Sequence, residues 1–182
     1  MDNESIQLWK REKFLILGWD ALGECLNRIK QQIDRSGFVP TTIVGISRGG
    51  LVLASHLANA FGLRDLQVIS IVRNTSEEKY SSRKEPKLQW MAPDSSLEGK
   101  HLLVADDIAG DGGTLTFALG LLEKRRPASV RTAVVVKNQN SRFIPDYQAI
   151  EVSDWIVFPW EPRVNKEAQT EVIKSKFSTD NV

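Results

Sequence analysis

Two adjacent aspartates and a glycine-rich turn carry the most distinctive chemistry in the sequence. Asp106 and Asp107 follow an apolar run at 101–105, and Thr114 comes directly after the glycine-rich stretch 110–113. Carboxylates at the end of a buried strand can accept hydrogen bonds from hydroxyl groups or hold a divalent cation. A glycine-rich turn into a helix offers backbone N–H groups to an anion. The segment therefore predicts acceptors for a diol beside donors for a phosphate, as a sugar phosphate requires.

Other interpretations of this turn fit the spacing less well. No Gly-Lys-Ser/Thr follows the glycines, which excludes a Walker A loop, and the pattern is not G-x-G-x-x-G either. A turn with only a structural role would fit one aspartate, but it accounts poorly for the pair, three glycines and a threonine together.

The predicted elements place this turn at one edge of a sheet. Apolar, β-branched strand patterns alternate with helical patterns, which indicates an α/β fold with a mostly parallel sheet flanked by helices. The predicted strands are 41–47, 66–72, 101–105, 130–136 and 154–158, and the predicted helices are 15–33, 51–62, 113–126 and 165–177.

Such sheets bind ligands beyond the carboxyl ends of their strands. Three connections should share that edge: 47–50, 106–113 and a long polar loop at 73–99.

Composition limits the possible partners. The 182 residues contain 24 Lys plus Arg against 23 Asp plus Glu, a net charge of +1 that favours neither nucleic acid nor an anionic membrane. No apolar run has membrane-spanning length, and the polar start is no signal peptide, so we expect a cytoplasmic protein. The single cysteine, Cys25, excludes an intrachain disulfide and is interpreted as a buried thiol.

The stretch LLVADDIAGDGGTL, residues 102–115, resembles the phosphoribosyl pyrophosphate (PRPP) signature of type I phosphoribosyltransferases. The resemblance covers about residues 40–162 and implies a single domain, 1–182, with a small hood formed by terminal segments. It also implies Mg2+ as cofactor, ribose hydroxyls facing Asp106 and Asp107, and a 5′-phosphate held by 110–114. The implied PRPP-binding residues are Ser47, Arg48, Gly49, Gly50, Asp106, Asp107, Ile108, Ala109, Gly110, Asp111, Gly112, Gly113 and Thr114.

Two further segments match parts of that family. GISRGGL, 45–51, is similar to the family's pyrophosphate loop, where Arg48 would supply a cation. The long polar loop lies where family members have a mobile lid over the substrate, although a solvated charged loop would look the same. The residues assigned to this flexible loop are Tyr80, Arg83, Lys84 and Lys87.

The segments VVVKNQN and SDWIVFPWEP are similar to the xanthine-guanine branch of the 6-oxopurine phosphoribosyltransferases. This likeness implies that Lys137 donates to the purine 6-oxo group, that Trp155 stacks on the base and that Ile156 offers backbone contacts. Glu161 matches an acidic residue near the metal and the base, while Trp160 is interpreted as core.

The motif also departs from the family. Gly110 stands where purine-using members carry the acidic candidate for general acid/base work, and Val157 also replaces an acid. Asp111 stands where the family has Thr or Ser, although a carboxylate beside a phosphate is unfavourable. Either the loop is shifted and Asp111 turns toward the base, or the base chemistry differs.

The resemblance implies transfer of the phosphoribosyl group from PRPP to a nitrogenous base, most simply hypoxanthine, guanine or xanthine, with release of pyrophosphate. We expect PRPP and a small-molecule base as partners, no nucleic acid, no membrane span, and a homo-oligomer. A non-purine acceptor, or a non-catalytic PRPP- or nucleotide-sensing regulator, are the alternatives. The expected catalytic residues are Asp106, Asp107, Asp111 and Arg48, and the expected metal ligands are Asp106, Asp107 and Glu161.

Overall fold

The computed structural model describes residues 10–74, 83–92, 96–161 and 170–173. These ranges contain nine strands and three helices. In chain order they are β1 (Lys10–Leu17), α1 (Trp19–Ser36), β2 (Thr42–Ser47), α2 (Gly50–Ala60), β3 (Leu66–Asn74), β4 (Arg83–Met91), β5 (His101–Ala109), α3 (Gly113–Glu123), β6 (Ser129–Asn138), β7 (Tyr147–Val152), β8 (Asp154–Val157) and β9 (Thr170–Ile173). None of the helices in these ranges is both long and apolar enough to span a membrane.

The main sheet has six strands in the order β4-β3-β2-β5-β6-β7. All its neighbouring strands are parallel except β4, which runs antiparallel to β3 at one edge. The chain leaves β2 toward β3 on one side, and β5 continues to β6 and β7 on the other. The strand order therefore reverses between β2 and β5, and a crevice opens beyond the carboxyl ends of these two strands.

Helices cover both faces of the main sheet. Helices α1 and α2 contribute to one apolar cluster and α3 to the other, so neighbouring residues of a strand are buried on opposite faces: Ile43 lies in the first cluster and Val44 in the second. Burial on both faces explains why the central strands are continuous apolar runs. The predicted α/β fold with a mostly parallel sheet is confirmed.

The hood predicted from terminal segments is a second sheet of three strands, in the order β8-β1-β9. Strand β1 comes from the N-terminal part of the chain, and both partners pair with it in parallel. The predicted helix over 15–33 is wrong at its start, because Leu15 lies in β1 and α1 begins at Trp19. The run FLIL fits a strand as well as a helix turn, and pairing with β8 and β9 decides between them.

Two other predictions require correction. The stretch 73–99 is not one loop, because β3 continues to Asn74 and β4 occupies Arg83–Met91 as its antiparallel partner. The predicted helix 165–177 is wrong at 170–173, which form β9 beside β1. Strand β7, which the sequence patterns did not indicate, closes the far edge of the main sheet.

Candidate functional site

Two loops meet at the crevice between β2 and β5. Residues 47–50 form the connection from β2 to α2, residues 110–112 form that from β5 to α3, and the Ser47–Arg48 peptide bond is cis. A Cβ on Gly49 would overlap the carboxylate of Asp107, and a Cβ on Gly50 would lie 2.7 Å from Cα of Asp106. The two glycines therefore let the first loop pack directly onto the aspartate pair. The structure brings together the two segments that the sequence assigned to pyrophosphate and ribose.

The aspartate pair is a concentration of negative charge. Asp106 is 8% exposed, and its Oδ1 accepts a hydrogen bond from the backbone N–H of Asp107 at 2.9 Å. Burial, and then the charge of Asp107, hold the pKa of Asp106 well above its ordinary range. Burial raises the pKa of Asp107 to about 6, and the negative charge of Glu161 adds to the shift. Such a pair favours a cation or hydrogen-bond donors as its ligand.

The predicted phosphate turn leads into α3. Helix α3 begins at Gly113, after Gly112, whose φ of +84° is in the left-handed region that glycine adopts readily. A Cβ on Gly112 would also overlap the side chain of Phe143. The first turn of a helix has backbone N–H groups without intrahelical partners, and α3 begins directly after the loop that follows β5, at the position predicted for the phosphate.

Asp111 has a partner that the sequence motifs did not single out. Its Oδ1 accepts a hydrogen bond from the Gly113 N–H at 2.9 Å and forms an ion pair with Nη1 of Arg73. Arg73 lies near the carboxyl end of β3, so Asp111 is engaged on the β3 side of the crevice rather than on the β6 side. In the sequence, the position of Arg73 is the only indication of this role. It is a cation directly after the apolar run 66–72, and that strand ends at the same edge of the sheet as β5.

The residues assigned to the base lie on the other side of β5. Lys137 is 8% exposed near the end of β6, and its Nζ lies 3.3 Å from Oε1 of Glu151. In the hood, Trp155 is partly exposed and pairs in register with Phe14, while Ile156 is buried. A donor and an aromatic ring thus stand at the end of β6 and in the hood strand, which are the elements expected to frame the base.

The end of the described hood turns back toward the aspartates. Glu161 accepts a hydrogen bond from the Phe158 N–H at 3.1 Å, and its charge raises the pKa of Asp107. Trp160 stacks on Phe158, with ring centroids 4.7 Å apart, and packs against the first apolar cluster. Trp160 is thus partly buried against the core rather than a fully buried core residue. The predicted burial of Cys25 is confirmed, and this burial raises the pKa of its thiol to about 11.

The carboxylates fit Mg2+ only as a shared site. Among the described residues, no group of three or more His, Cys, Asp or Glu side chains is arranged to hold a metal ion. Asp106, Asp107 and Glu161 therefore do not form a cage made by protein alone. Mg2+ commonly binds through one or two carboxylates together with substrate phosphates and water, and the raised pKa values of the buried aspartates suit that arrangement.

The residues predicted for a flexible loop are placed differently. Tyr80 lies outside the described residues. Arg83, Lys84 and Lys87 belong to strand β4 rather than to a loop, and Lys87 pairs with Val72 of β3. The reason is the open edge of β3, which supplies hydrogen-bonding partners to a segment whose own sequence pattern is weak.

The fold and the site together define a doubly wound α/β protein with two glycine-containing loops and an aspartate pair at the reversal of its strand order. Residues 16–167 match a family model whose description is Phosphoribosyl transferase domain. The chain therefore belongs to the phosphoribosyltransferase family.

Similar proteins agree with this placement. The xanthine-guanine phosphoribosyltransferase of Gluconobacter oxydans is 30% identical over 120 residues, 65% of this chain and 67% of the relative. That of Idiomarina loihiensis is 27% identical over 156 residues, 84% of this chain and 90% of the relative.

Solved structures show the same fold. A purine phosphoribosyltransferase from Pyrococcus horikoshii matches with a TM-score of 0.71 and 25% identity, covering 85% of this chain and 99% of that one. The xanthine-guanine-hypoxanthine phosphoribosyltransferase of Helicobacter pylori matches with a TM-score of 0.68 at 18% identity, covering 83% and 93%.

Proposed function

We propose that the protein transfers the 5-phosphoribosyl group from PRPP to a 6-oxopurine and releases pyrophosphate. The observation that carries the proposal is the packing of Gly49 and Gly50 onto Asp106 and Asp107 at the reversal of the strand order. The packing joins a glycine loop suited to pyrophosphate to carboxylates suited to a ribose diol. The names of the xanthine-guanine relatives support the class of acceptor.

The loop after β2 and the loop after β5 have separate roles in binding PRPP. Asp106 and Asp107 accept hydrogen bonds from the ribose hydroxyls, and the backbone N–H groups of Gly112 and Thr114 bind the 5′-phosphate, while the Gly113 N–H donates to Asp111. Residues 47–50 bind the pyrophosphate, where Arg48 supplies a cation to the leaving group. Asp106 and Asp107 would hold Mg2+, which would supply further neutralisation of the charge on the pyrophosphate.

The proposed binding site for the base lies between the end of β6 and the hood. Lys137 donates to the exocyclic oxygen of the purine, and Trp155 provides the face on which the ring stacks. The ion pair with Glu151 orients the nearly buried Lys137 side chain. Ile156 contributes backbone contacts beside Trp155, and the negative charge of Glu161 acts on Asp107.

A second candidate uses the same PRPP site with a nitrogen acceptor other than a purine. Gly110 favours it, because this position offers no carboxyl group to exchange a proton with a purine ring. Asp111 does not replace that group in the described geometry, since Arg73 and the Gly113 N–H engage its carboxylate on the β3 side.

The proposal extends to assembly and location. We infer a homo-oligomer in the cytoplasm, acting without nucleic acid. The apolar side chains exposed on the β3–β4 edge support association with a second copy: Val72, Leu88 and Trp90 are 37%, 42% and 54% exposed. Leu88 and Trp90 belong to the edge strand β4, and exposed apolar side chains on an edge strand are commonly covered by assembly.

The experiment that tests the function is pyrophosphate release from Mg·PRPP with hypoxanthine, guanine, xanthine, adenine and non-purine bases. We expect release with the three 6-oxopurines, and its loss in the Asp106→Asn/Asp107→Asn double variant. The matched control is Asp34→Asn, which removes an exposed acid on α1 and should leave release unchanged. No release with any base, from a protein that binds Mg·PRPP, would overturn the enzymatic assignment.

A further inference from the structure

Arg73 and Asp111 form a charge pair across the crevice edge that the proposed function leaves without a role. Asp111 Oδ1 is shared between Nη1 of Arg73 and the backbone N–H of Gly113, the first residue of α3. The two side chains are 17% and 30% exposed, so the pair is partly shielded from water. The carboxylate therefore holds the turn on which the proposed 5′-phosphate site is built.

Gly113 makes room for the guanidinium. A Cβ on residue 113 would lie 2.7 Å from Nη1, 2.9 Å from Cζ and 3.0 Å from Nη2 of Arg73. The planar group thus lies against the start of α3, close to the backbone donors of the turn. Strands β3 and β5 are separated only by β2, which brings a residue of β3 within reach of the loop after β5.

The charge balance of the turn depends on this contact. A helix N-terminus is equivalent to about half a positive charge, so one unpaired carboxylate at the same place would make the turn net negative. Such a turn would repel a phosphate dianion. A guanidinium beside the carboxylate returns the turn to a net positive charge, and its planar fork of N–H donors suits phosphate oxygens as well as carboxylates.

We propose that Arg73 is a positioning and specificity residue for the phosphate group of the substrate. It neutralises Asp111, which can then brace the Gly113 N–H without repelling the phosphate, and it provides the positive charge of the subsite from the β3 side. The proposal rests on the proposed function, because it places the 5′-phosphate at residues 112–114. Asp111 is thereby a structural partner of the turn and takes no part in proton transfer to the base.

The pair could instead be a simple clamp between β3 and the turn. A clamp would affect every ligand that needs an ordered turn, with or without a phosphate. A charge-balancing pair affects only ligands that carry the phosphate, and neutralising Asp111 should compensate for the loss of Arg73. The two roles are therefore separated by comparing guanosine 5′-monophosphate with guanosine.

The experiment measures calorimetric affinities for both ligands in the wild type, Arg73→Met, Asp111→Asn and the double variant. We expect Arg73→Met to weaken nucleotide binding by about tenfold or more, while nucleoside binding is unchanged. The asparagine of Asp111→Asn keeps an acceptor for the Gly113 N–H, so the double variant should recover most of the nucleotide affinity. The matched control is Arg131→Met. Arg131 lies near the start of β6 and forms a different ion pair, with Asp146.

Equal losses for nucleotide and nucleoside, or a double variant as weak as Arg73→Met, would overturn the role of Arg73. If the wild type binds neither purine ligand but binds ribose 5-phosphate, the purine acceptor fails. The same four proteins then test Arg73 with ribose 5-phosphate against ribose. If the wild type binds neither ribose 5-phosphate nor Mg·PRPP, the proposed function and the role of Arg73 both fail.

Discussion

Gly49 lies directly against the carboxylate of Asp107, so closely that a Cβ on residue 49 would overlap Oδ2. The backbone of Gly49 has φ −61° and ψ −39°, a conformation open to any residue. Space alone therefore requires glycine at this position. The contact fixes the distance between the proposed pyrophosphate loop and the proposed ribose site.

The first prediction tests that contact. Gly49→Ala should force the two loops apart, lower the free energy of unfolding by about 1–3 kcal/mol and weaken Mg·PRPP binding by about tenfold or more. Urea unfolding and calorimetric titration measure both effects. The matched control is Gly23→Ala within α1, where an added Cβ meets no atom within 4 Å. That substitution should stabilise the protein by about 0.5–1 kcal/mol. Unchanged PRPP affinity in Gly49→Ala would contradict the pyrophosphate assignment.

The second prediction concerns the pH dependence of stability. Burial raises the folded-state pKa of Asp107 from 3.8 to about 6. The stability that the protonated carboxyl contributes is thus fully present below the unfolded pKa and is lost as the pH rises through the folded value. At pH 8 the carboxylate of Asp107 is charged and destabilises the fold.

Asp107→Asn should therefore raise the free energy of unfolding at pH 8 by about 1–2 kcal/mol, a value reduced for the partial exposure of the group. The gain should disappear below about pH 4, where the wild-type carboxyl is protonated in both states. The same variant should lose affinity for Mg·PRPP, so stability and binding change in opposite directions. Urea titrations at several pH values, without ligand, measure the stability effect. If the variant is less stable than the wild type at pH 8, burial of the charged Asp107 carboxylate does not destabilise the fold.

Local sequence was sufficient for the site residues that are close together in the chain. The aspartates and the turn after them lie in one contiguous motif, and their types and spacing indicated the helix start at 113. The strand end predicted at 105 was wrong, because β5 continues through both aspartates to Ala109 beside its partner β6. Arg73 was missed because it lies 38 positions before Asp111 and meets it only through the strand order β3-β2-β5. No periodicity within either segment contains that information.

The strands that are buried on both faces of the main sheet were predictable from the sequence. Strands β2, β5 and β6 contain continuous apolar runs at 43–46, 102–105 and 133–136, because helices cover both faces of the sheet. The edge strands were not predictable, since β4 contains Pro86 and several charges and owes its conformation to pairing with β3. Strand β1 has an apolar run that also fits a helix turn, and only its partners in the hood settle its conformation.

The third prediction concerns assembly through the β3–β4 edge. Trp90 is 54% exposed on the edge strand, near Leu88, and association with a second copy would cover both. Trp90→Glu should shift the sedimentation coefficient toward that of a monomer, because a charge on an apolar interface opposes association. The matched control is Val39→Glu, a substitution at a 72% exposed apolar residue between α1 and β2. A wild-type monomer, or an oligomer unaffected by Trp90→Glu, would exclude this edge as the interface.

The last prediction concerns discrimination between bases. In the proposed function the Lys137 ammonium, whose Nζ lies 3.3 Å from Oε1 of Glu151, would donate to the exocyclic oxygen of a 6-oxopurine. Adenine presents an amino donor at that position, and two donors facing each other leave a buried polar group unpaired, at a cost of about 1–3 kcal/mol. The kcat/KM for hypoxanthine, guanine or xanthine should therefore exceed that for adenine at least about tenfold, since about 1.4 kcal/mol corresponds to a factor of ten.

Two variants separate the roles of donor and stacking surface. Lys137→Met should remove most of the preference for 6-oxopurines, while Trp155→Ala should weaken every base alike, by about 1–3 kcal/mol. Lys124→Met, at the exposed end of α3, is the control for loss of a lysine charge away from the crevice. Adenine as the best substrate of the wild type would refute the role of Lys137. If no purine reacts while Mg·PRPP still binds, the acceptor is a different nitrogen nucleophile. The missing carboxyl at Gly110 would then explain why the purine ring is not activated.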